Sequence, residues 1–498
     1  MVNQSIGYQK AEVVVAGGGT GGVCAAIAAA RNGADVLLIE QRGFLGGLFT
    51  GGNMILCHWG ARQFWGGLNR EIFTRLHDLG AAKFHPDDPP NYPLYHMRHR
   101  VCLSVAYDPE VAKLVLFQLV EDAGVRLLLH SFVTGAVTEG NIVRGVMVEN
   151  KSGQQFIEGT VVCDGTGDGD VAASAGVPFQ KGLGEDQQLF AMTMLVRLSH
   201  VDWNQVTEYS IQDPAWEQAI RTAKVAGDLP FYSSRSIDSI PYWGHPRPEL
   251  GRLWYEDGAL LWGGTVEGVD GTDAESLTSA EVACRKQWVS ELDFLRKYIP
   301  GFASARVEHS GTSIGVRETR HIEGEYRFTG YDILEEREFP DTVAYIVPLF
   351  QGVPYRCLVP KHAENLLLAS KCLSTTPGQA VSGPTLGAYN DMKSISTVMT
   401  YGQVAGTAAA LCIRSDVIPR LVDVTSVQKI LRNQGALVSP ATIVALKKTR
   451  LPFGKTIDEL LQSRLQRARQ RWERMGYQFS TPTLGDIERD PVPGLFER

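Results

Sequence analysis

Four groups of residues in this sequence have types and spacings that could do chemistry. The first is a glycine array, Gly17, Gly19 and Gly22, in the pattern G-x-G-x-x-G, with a carboxylate, Glu40, about twenty residues further on. The second is the pair Cys57-His58. The third packs Arg317, Glu318, Arg320 and His321 into one short stretch, and the fourth places Tyr355-Arg356 ahead of Lys371-Cys372. A glycine array of this kind permits a tight turn, lets a pyrophosphate approach the backbone and lets a helix pack on a strand. The planar guanidinium of Arg317 or Arg356 could clamp a carboxylate or polarise a carbonyl. His321, His58 and Tyr355 are of the types that act as general base or acid. Each also has a plain structural alternative: Arg317 paired with Glu318, or His58 satisfied within its own loop.

The elements needed to position the glycine array are present around it. The apolar run Val13–Val15 reads as a buried strand, an Ala-rich helix follows the glycines, and a second strand, Val36–Ile39, ends on Glu40. This is a βαβ unit whose helix N-terminus offers free N–H groups and partial positive charge to a pyrophosphate, while Glu40 suits a ribose diol. Arg42 comes two residues after Glu40 and introduces a second glycine-rich segment, Gly43 to Gly52. That segment suits a cofactor that continues past its pyrophosphate. At this point the sequence resembles the FAD-dependent oxidoreductases of the glutathione-reductase-like superfamily.

Further motifs continue the resemblance in order: CDGTGDGD (163–170), GVRETRHIEGEY (315–326), PYRCLVPKHAENLLLASKC (354–372) and GQVAGTAAAL (402–411). It covers residues 11–180 and 311–412. It implies FAD, with contacts from Gly17, Gly19, Thr20, Gly21 and Gly22, and from Glu40, Gln41 and Arg42. It also implies contacts from Gly46, Gly47, Leu48 and Gly52, from Val133, and from Gly165, Gly167 and Asp168. Cys372, Gln403, Val404 and Gly406 complete the implied set. Two positions depart from the family pattern. Gly165 replaces an Ala, and Lys371-Cys372 stands where Gly-Asp or Gly-Glu is usual, which resembles the branch carrying Arg-Cys. The superfamily's covalent histidine precedes its Gly-Gly segment, where this chain has Gly43-Phe44-Leu45, so noncovalent FAD is expected. The 402–411 helix is expected to direct its N-terminal dipole at the flavin pyrimidine, where reduction accumulates negative charge.

The resemblance implies hydride transfer between a small organic substrate and flavin N5, the flavin supplying the redox chemistry and the protein position and electrostatics. Arg317 and Arg356 favour a carboxylate- or carbonyl-bearing substrate. The second electron partner is not identified, because no second G-x-G-x-x-G opens a βαβ unit. A monooxygenase or halogenase using reduced flavin is the alternative, although those enzymes keep the Gly-Asp that this chain lacks. A nucleotide-binding module without catalysis would leave the Arg/His/Tyr cluster unexplained.

The 498 residues exceed one typical domain. The expected fold class is α/β: a Rossmann-like FAD-binding domain, with a parallel sheet and a small antiparallel meander, a mixed α+β cap or substrate domain, and a helical C-terminal tail. The expected boundaries are 1–195 with 311–420, then 196–310, then 421–498. The meander is placed at Ala136–Thr138, Ile142–Glu149 and Gln155–Glu158. The middle region holds six of the nine tryptophans, which could line a pocket, with a strand at Ala259–Trp262 and a helix at Ser279–Tyr298. Residues 84–100 read as a loop, and 375–397 as an extra loop without alignment. Tail helices are expected at Val427–Leu437 and Ile457–Gly476, the second a solvated helix or a subunit contact, which leaves a homo-oligomer open. A net charge of −7 argues against a broad nucleic-acid surface. No apolar run approaches a membrane span, and MVNQSIGYQK has no secretory h-region, so a cytoplasmic location is expected. The eight cysteines form no C-x-x-C and no metal-ligand spacing; they read as reduced, packed thiols.

Overall fold

A computed structural model describes residues 7–54, 56–58, 65–84, 104–182, 189–213, 216–228, 250–252, 257–347, 349–378, 381, 386–450 and 454–479. Most of the expected loop at 84–100, together with Trp243 and Trp254, lies outside these residues. So do the side chains of Cys57 and His58, whose backbone forms the short strand Leu56–His58.

The glycine array opens a sheet built as its pattern predicts. The first strand, Gly7–Ala16, pairs in parallel with Val36–Ile39 on one side and with Gly153–Asp164 on the other. Val36–Ile39 pairs in turn with Arg126–Leu128. Both flanks of these strands are covered, and Val13, Val14, Val15, Leu38 and Ile39 are fully buried, as continuous apolar runs in a parallel sheet require.

The strand Gly153–Asp164 does two jobs. Its first half pairs antiparallel with Ile142–Asn150, which pairs with Phe132–Glu139 to complete the meander. Its last residues pair in parallel with Leu366–Leu368. The sequence suggests two strands here, at Gln155–Glu158 and from Val161; the structure runs them together. Ala16, Ile39, Leu128, Asp164 and Leu368 therefore end at one level, at the carboxyl edge of the parallel strands.

Capping side chains set the helix starts. Asp108 Oδ1 accepts the Glu110 N–H at 2.8 Å, with Pro109 at the first helical position, so the helix runs Pro109–Asp122. Asp273 Oδ1 accepts the Ser276 N–H at 2.7 Å, which starts the next long helix at Ala274 rather than Ser279.

Residues 196–310 gather a core of their own. Val196, Leu198, Trp203, Trp216, Leu261, Leu295 and Phe302 cluster there, under a sheet ordered 250–252, 259–261, 196–199, 306–310. Trp203 and Trp216 belong to this core. Their indole N–H groups donate to the Gly258 carbonyl at 2.9 Å and to Ser210 Oγ at 3.0 Å. The region begins and ends at one place: Gly311 N donates to Leu195 O at 2.9 Å, and Thr193 pairs with Gly315. The tail helix Ile457–Arg474 is not solvated all round. Leu461, Leu465, Ala468 and Trp472 join the main core, and Arg469 donates to the Leu334 carbonyl and reaches Glu336. Among the described residues no helix is long and apolar enough to cross a membrane. The six described cysteines are free and buried.

Glu291, on the helix Ala274–Tyr298, carries a titration into the core of this region. It is 2 % exposed; one oxygen accepts the Gly264 N–H at 3.2 Å, and the other has no hydrogen-bond partner among the described residues. Burial pushes its carboxyl up to about 8. The folded chain then holds a proton that the unfolded chain releases near the ordinary value of 4.5. The stabilisation is complete below that value and is lost as pH rises through about 8, at about 1.4 kcal/mol per pH unit in the window. Glu291→Gln should flatten the fall in thermal stability across this window. Parallel pH profiles for the two proteins would contradict the assignment.

Candidate active site

A crevice of roughly 1170 Å³, its open mouth included, crosses the carboxyl ends of the parallel strands. This is where open α/β sheets bind ligands. Gly17, Gly19, Thr20 and Gly21 line it at the start of the helix Thr20–Arg31. Gly17 has φ +93°, and a β-carbon there would lie 2.6 Å from the Gly165 carbonyl oxygen, so only glycine makes this turn. No side chain caps the helix and no acid stands in its first turn, so its N–H groups and positive dipole end face the crevice. Gly22 does not line it. A β-carbon at Gly22 would lie 1.9 Å from the Gly17 carbonyl oxygen, so its role is close packing.

Glu40, Gln41 and Arg42 line the next stretch. Glu40 is buried, its Oε2 accepting the Gly18 N–H at 2.7 Å and its Oε1 the Arg42 N–H at 2.8 Å. Burial raises its carboxyl above the usual range, against those two N–H groups, which favour the charged form. Arg42 Nη2 donates to Ser313 Oγ at 2.8 Å, tying this stretch to the segment that follows residues 196–310. Val133 lines the same end, beside Ser131 and Phe132.

Gly47 and Leu48 line the middle. Gly46 and Gly52 are structural neighbours. Gly46 N donates to Gly18 O at 2.8 Å, its carbonyl accepts Thr20 Oγ1 at 3.1 Å, and Gly52 closes the short helix Leu48–Gly51. Gly165, Gly167 and Asp168 face Gly47 across the crevice. The departure from Ala at Gly165 has a steric cause: a β-carbon would lie 2.8 Å from Gly17 O and 2.9 Å from Gly22 Cα.

Cys372 is buried beside the crevice rather than in its lining; its Sγ donates to Gly167 O at 2.7 Å. Burial pushes this thiol up to about 12. Its neighbours Ser370 and Lys371 take the lining position. Lys371 donates to the Gly167 carbonyl and to Asp168 Oδ1, at 2.9 Å for the latter. Burial opposes its charge, but Asp168 overcomes this and holds the ammonium above its ordinary range.

Gln403, Val404 and Gly406 are placed away from the crevice. Their helix starts at Ile395, not near Gly402, so these residues lie well inside it. Gln403 is buried, accepting the Leu68 N–H at 3.0 Å and donating to Gln434 at 3.0 Å. Gly406 packs on the first helix, where its β-carbon would lie 2.0 Å from the Ala25 carbonyl oxygen. Lys393, Ile395 and Val398 line the crevice instead. The signal that locates this start is Ser394, a helix-capping type ahead of Ile395, inside the stretch read as an unaligned loop. Thr166, Ser313, Ile314 and Val316 also line the crevice and were not singled out from sequence. Thr166 Oγ1 donates to the buried Asp164 at 2.6 Å, which fixes the turn.

The four catalytic candidates with described side chains divide sharply. Arg317 stays near, one residue from the lining Val316, with Nη2 donating to Thr193 Oγ1 at 3.2 Å. His321 is 1 % exposed, and both ring nitrogens are engaged, with Glu318 at 2.8 Å and Thr375 at 2.9 Å. Glu318 also accepts the Phe190 N–H at 2.9 Å. Tyr355 is buried and donates to the Pro419 carbonyl at 2.9 Å. Arg356 closes its fork on Asp341, at 2.9 and 3.3 Å, and lies over the Tyr326 ring. The structure therefore does not bring His321, Tyr355 or Arg356 to the crevice. Thr375, Pro419 and Asp341, all well removed in sequence, hold these side chains, with Glu318 three residues from His321 as the one local partner.

The model of the FAD dependent oxidoreductase family matches residues 12–347 and 346–431. The chain belongs to this family. As in other FAD-dependent oxidoreductases, FAD is its cofactor, and the crevice fits that group. The uncapped helix start suits the pyrophosphate, and the open backbone at Gly19, where a β-carbon would meet nothing closer than 3.5 Å, leaves room for it. Bound FAD supplies redox chemistry at its isoalloxazine.

The FAD-dependent oxidoreductase is similar to several solved structures. A geranylgeranyl bacteriochlorophyll reductase-like protein from Thermoplasma acidophilum is 13% identical, with a TM-score of 0.46, covering 95% of this chain and 94% of that one. The p-nitrophenol 4-monooxygenase of Pseudomonas putida is 12% identical, with a TM-score of 0.44, covering 94% and 93%. L-proline dehydrogenase from P. horikoshii is 14% identical, with a TM-score of 0.39, covering 85% and 99%. These likenesses say nothing about the reaction. A search of curated proteins finds no match.

Glu40→Ala should weaken FAD binding by about 1.5–3 kcal/mol, because a charge-assisted contact is lost and the Gly18 N–H loses its acceptor. Titration of apoprotein with FAD, followed by flavin fluorescence, measures this. Unchanged affinity would leave Glu40 as a loop-fixing acid only.

Proposed function

We propose that this FAD-dependent oxidoreductase transfers a hydride between a small organic substrate and flavin N5, with FAD held by the lining residues from Gly17 to Val398. The observation that carries the reading is the continuity of the crevice. It runs from Glu40 to Ile395, and one wall is the segment Ser313–Val316, which follows directly on residues 196–310. Ile314 belongs both to this wall and to an apolar cluster with Met192, Met194 and Cys284, so the region 196–310 adjoins the cofactor site. That arrangement supports a substrate space between the two, away from bulk water.

A carboxylate- or carbonyl-bearing substrate is supported by Arg317, the one candidate arginine that the fold keeps beside the crevice. The experiment is anaerobic: oxidised holoenzyme is mixed with a panel of small hydroxy acids, amino acids and ketone-forming alcohols, and flavin bleaching is followed. Bleaching by NADPH or NADH and by no organic donor, with oxygen inserted into a product once air is admitted, would overturn the reading. With the best donor found, Arg317→Lys should raise KM about tenfold, the equivalent of ~1.4 kcal/mol for a lost charge-assisted bond. Arg356→Lys should leave reduction kinetics and FAD content unchanged, because its fork serves Asp341. An effect of Arg356→Lys on KM with no effect of Arg317→Lys would reverse the assignment.

A further inference from the structure

Two lysines line the crevice, and the fold treats them differently. Lys371 is held by Asp168 and the Gly167 carbonyl. Lys393 forms no hydrogen bond or ion pair through its ammonium with any described residue, although it is half-buried in a site that has carboxylates nearby. Two of those carboxylates, Asp168 and Glu318, are engaged by other groups. Asp168 is bonded to Lys371 and Thr319, and Glu318 to His321 and the Phe190 N–H.

Lys393 stands among charges of both signs, Arg317 and Lys371 against Glu318 and Asp391. It stands two residues ahead of the buried helix Ile395–Ser415, which has no side-chain cap. Its N–H donates to the Tyr389 carbonyl at 3.1 Å, and the Tyr389 hydroxyl donates to the Arg317 carbonyl, so the two cationic residues are tied through one tyrosine. Burial disfavours its charge most, Arg317 and Lys371 act the same way, and together they overcome Glu318 and Asp391 and bring the amine down to about 7. A desolvated lysine beside another cation is a proton-exchanging group rather than a fixed charge.

We propose that Lys393 takes up a proton when the flavin in this crevice accepts electrons, passing from neutral amine to ammonium as the cofactor passes from oxidised to anionic reduced. The balance is two electrons to the flavin from an external reductant such as dithionite, which is oxidised to sulfite, one proton from solvent to the flavin, and one further proton from solvent to Lys393 Nζ. The physical cause is the new negative charge, which raises the proton affinity of a nearby amine in a partly desolvated site. Lys393 is in this sense a residue of the redox step that no sequence motif announced.

The inference rests on FAD occupying this crevice, so flavin content is read first from the visible spectrum; a wild-type protein without flavin would overturn both readings at once. The decisive measurement is the midpoint potential of bound FAD against pH, from 6 to 9, with redox dyes. Above about pH 7 the wild type should take two protons per two electrons. Lys393→Met should take one throughout. Lys393→Arg, with a permanent charge, should also take one, yet hold a higher potential than the methionine variant. This separates proton uptake from a merely structural role, which would shift both variants alike. Should the methionine variant lose flavin, the arginine variant alone decides. A one-proton slope in the wild type, or a two-proton slope kept in either variant, overturns the proposal.

Discussion

The site depends on a place where side chains are missing. The helix Thr20–Arg31 and the helix Ile395–Ser415, from opposite ends of the family match, meet backbone to backbone. A β-carbon at Gly402 would lie 2.0 Å from the Gly21 carbonyl oxygen, and one at Gly21 would lie 1.9 Å from that of Ala369. Three elements are thus fixed to one another with no adjustable atoms between them. The consequence is electrostatic as well as steric. Two uncapped helix starts are brought to one crevice, and each contributes partial positive charge to a ligand that is itself anionic.

Around that contact, buried polar groups are settled in closed sets. Asp164 takes Thr166 and the Ala172 N–H; Asp332 takes Thr329, Tyr326 and Arg337. His321 takes Glu318 and Thr375. Leaving any of these buried groups without its partner would cost roughly 1–3 kcal/mol or more, so each set fixes its loop in one conformation. The turns that carry the crevice lining are rigid for this reason, and the free polar capacity of the site is limited to a few atoms.

Sequence reading reached the glycine turn, Glu40, the second glycine segment and the turn at 165–168, because these are local patterns with a mechanical cause. It also reached the strands Val13–Val15 and Val36–Ile39 and the meander. It failed where a side chain's partner lies far along the chain. Arg356 and Tyr355 sit in a motif beside the sheet, but Asp341 and Pro419 claim them, and nothing in spacing shows that. The helix at 402–411 was legible by its small residues, yet these mark the packed face against the first helix, not the ligand-facing end. Its true start lay in Lys393-Ser394-Ile395, within a stretch that resisted alignment. The tail helix, with its many arginines, looked solvent-bound; its apolar stripe at Leu461, Leu465, Ala468 and Trp472 decides otherwise.

The hydrogen bond from Gly311 to Leu195, and the pairing of Thr193 with Gly315, bring together the two chain positions that bracket residues 196–310. The chain thus enters and leaves this region through a doorway one strand pair wide, although Lys181 with Asp270 and the Ile314 N–H with Glu281 also link it to what flanks it. Closing the chain across such a doorway needs only a short link, and lengthening what hangs from it costs little loop entropy. Mutation can therefore rework that appendage, in size or content, without disturbing the glycine turn or the crossing of the two helices. Divergence in what such a protein acts on can proceed at a different pace from divergence in how it carries electrons.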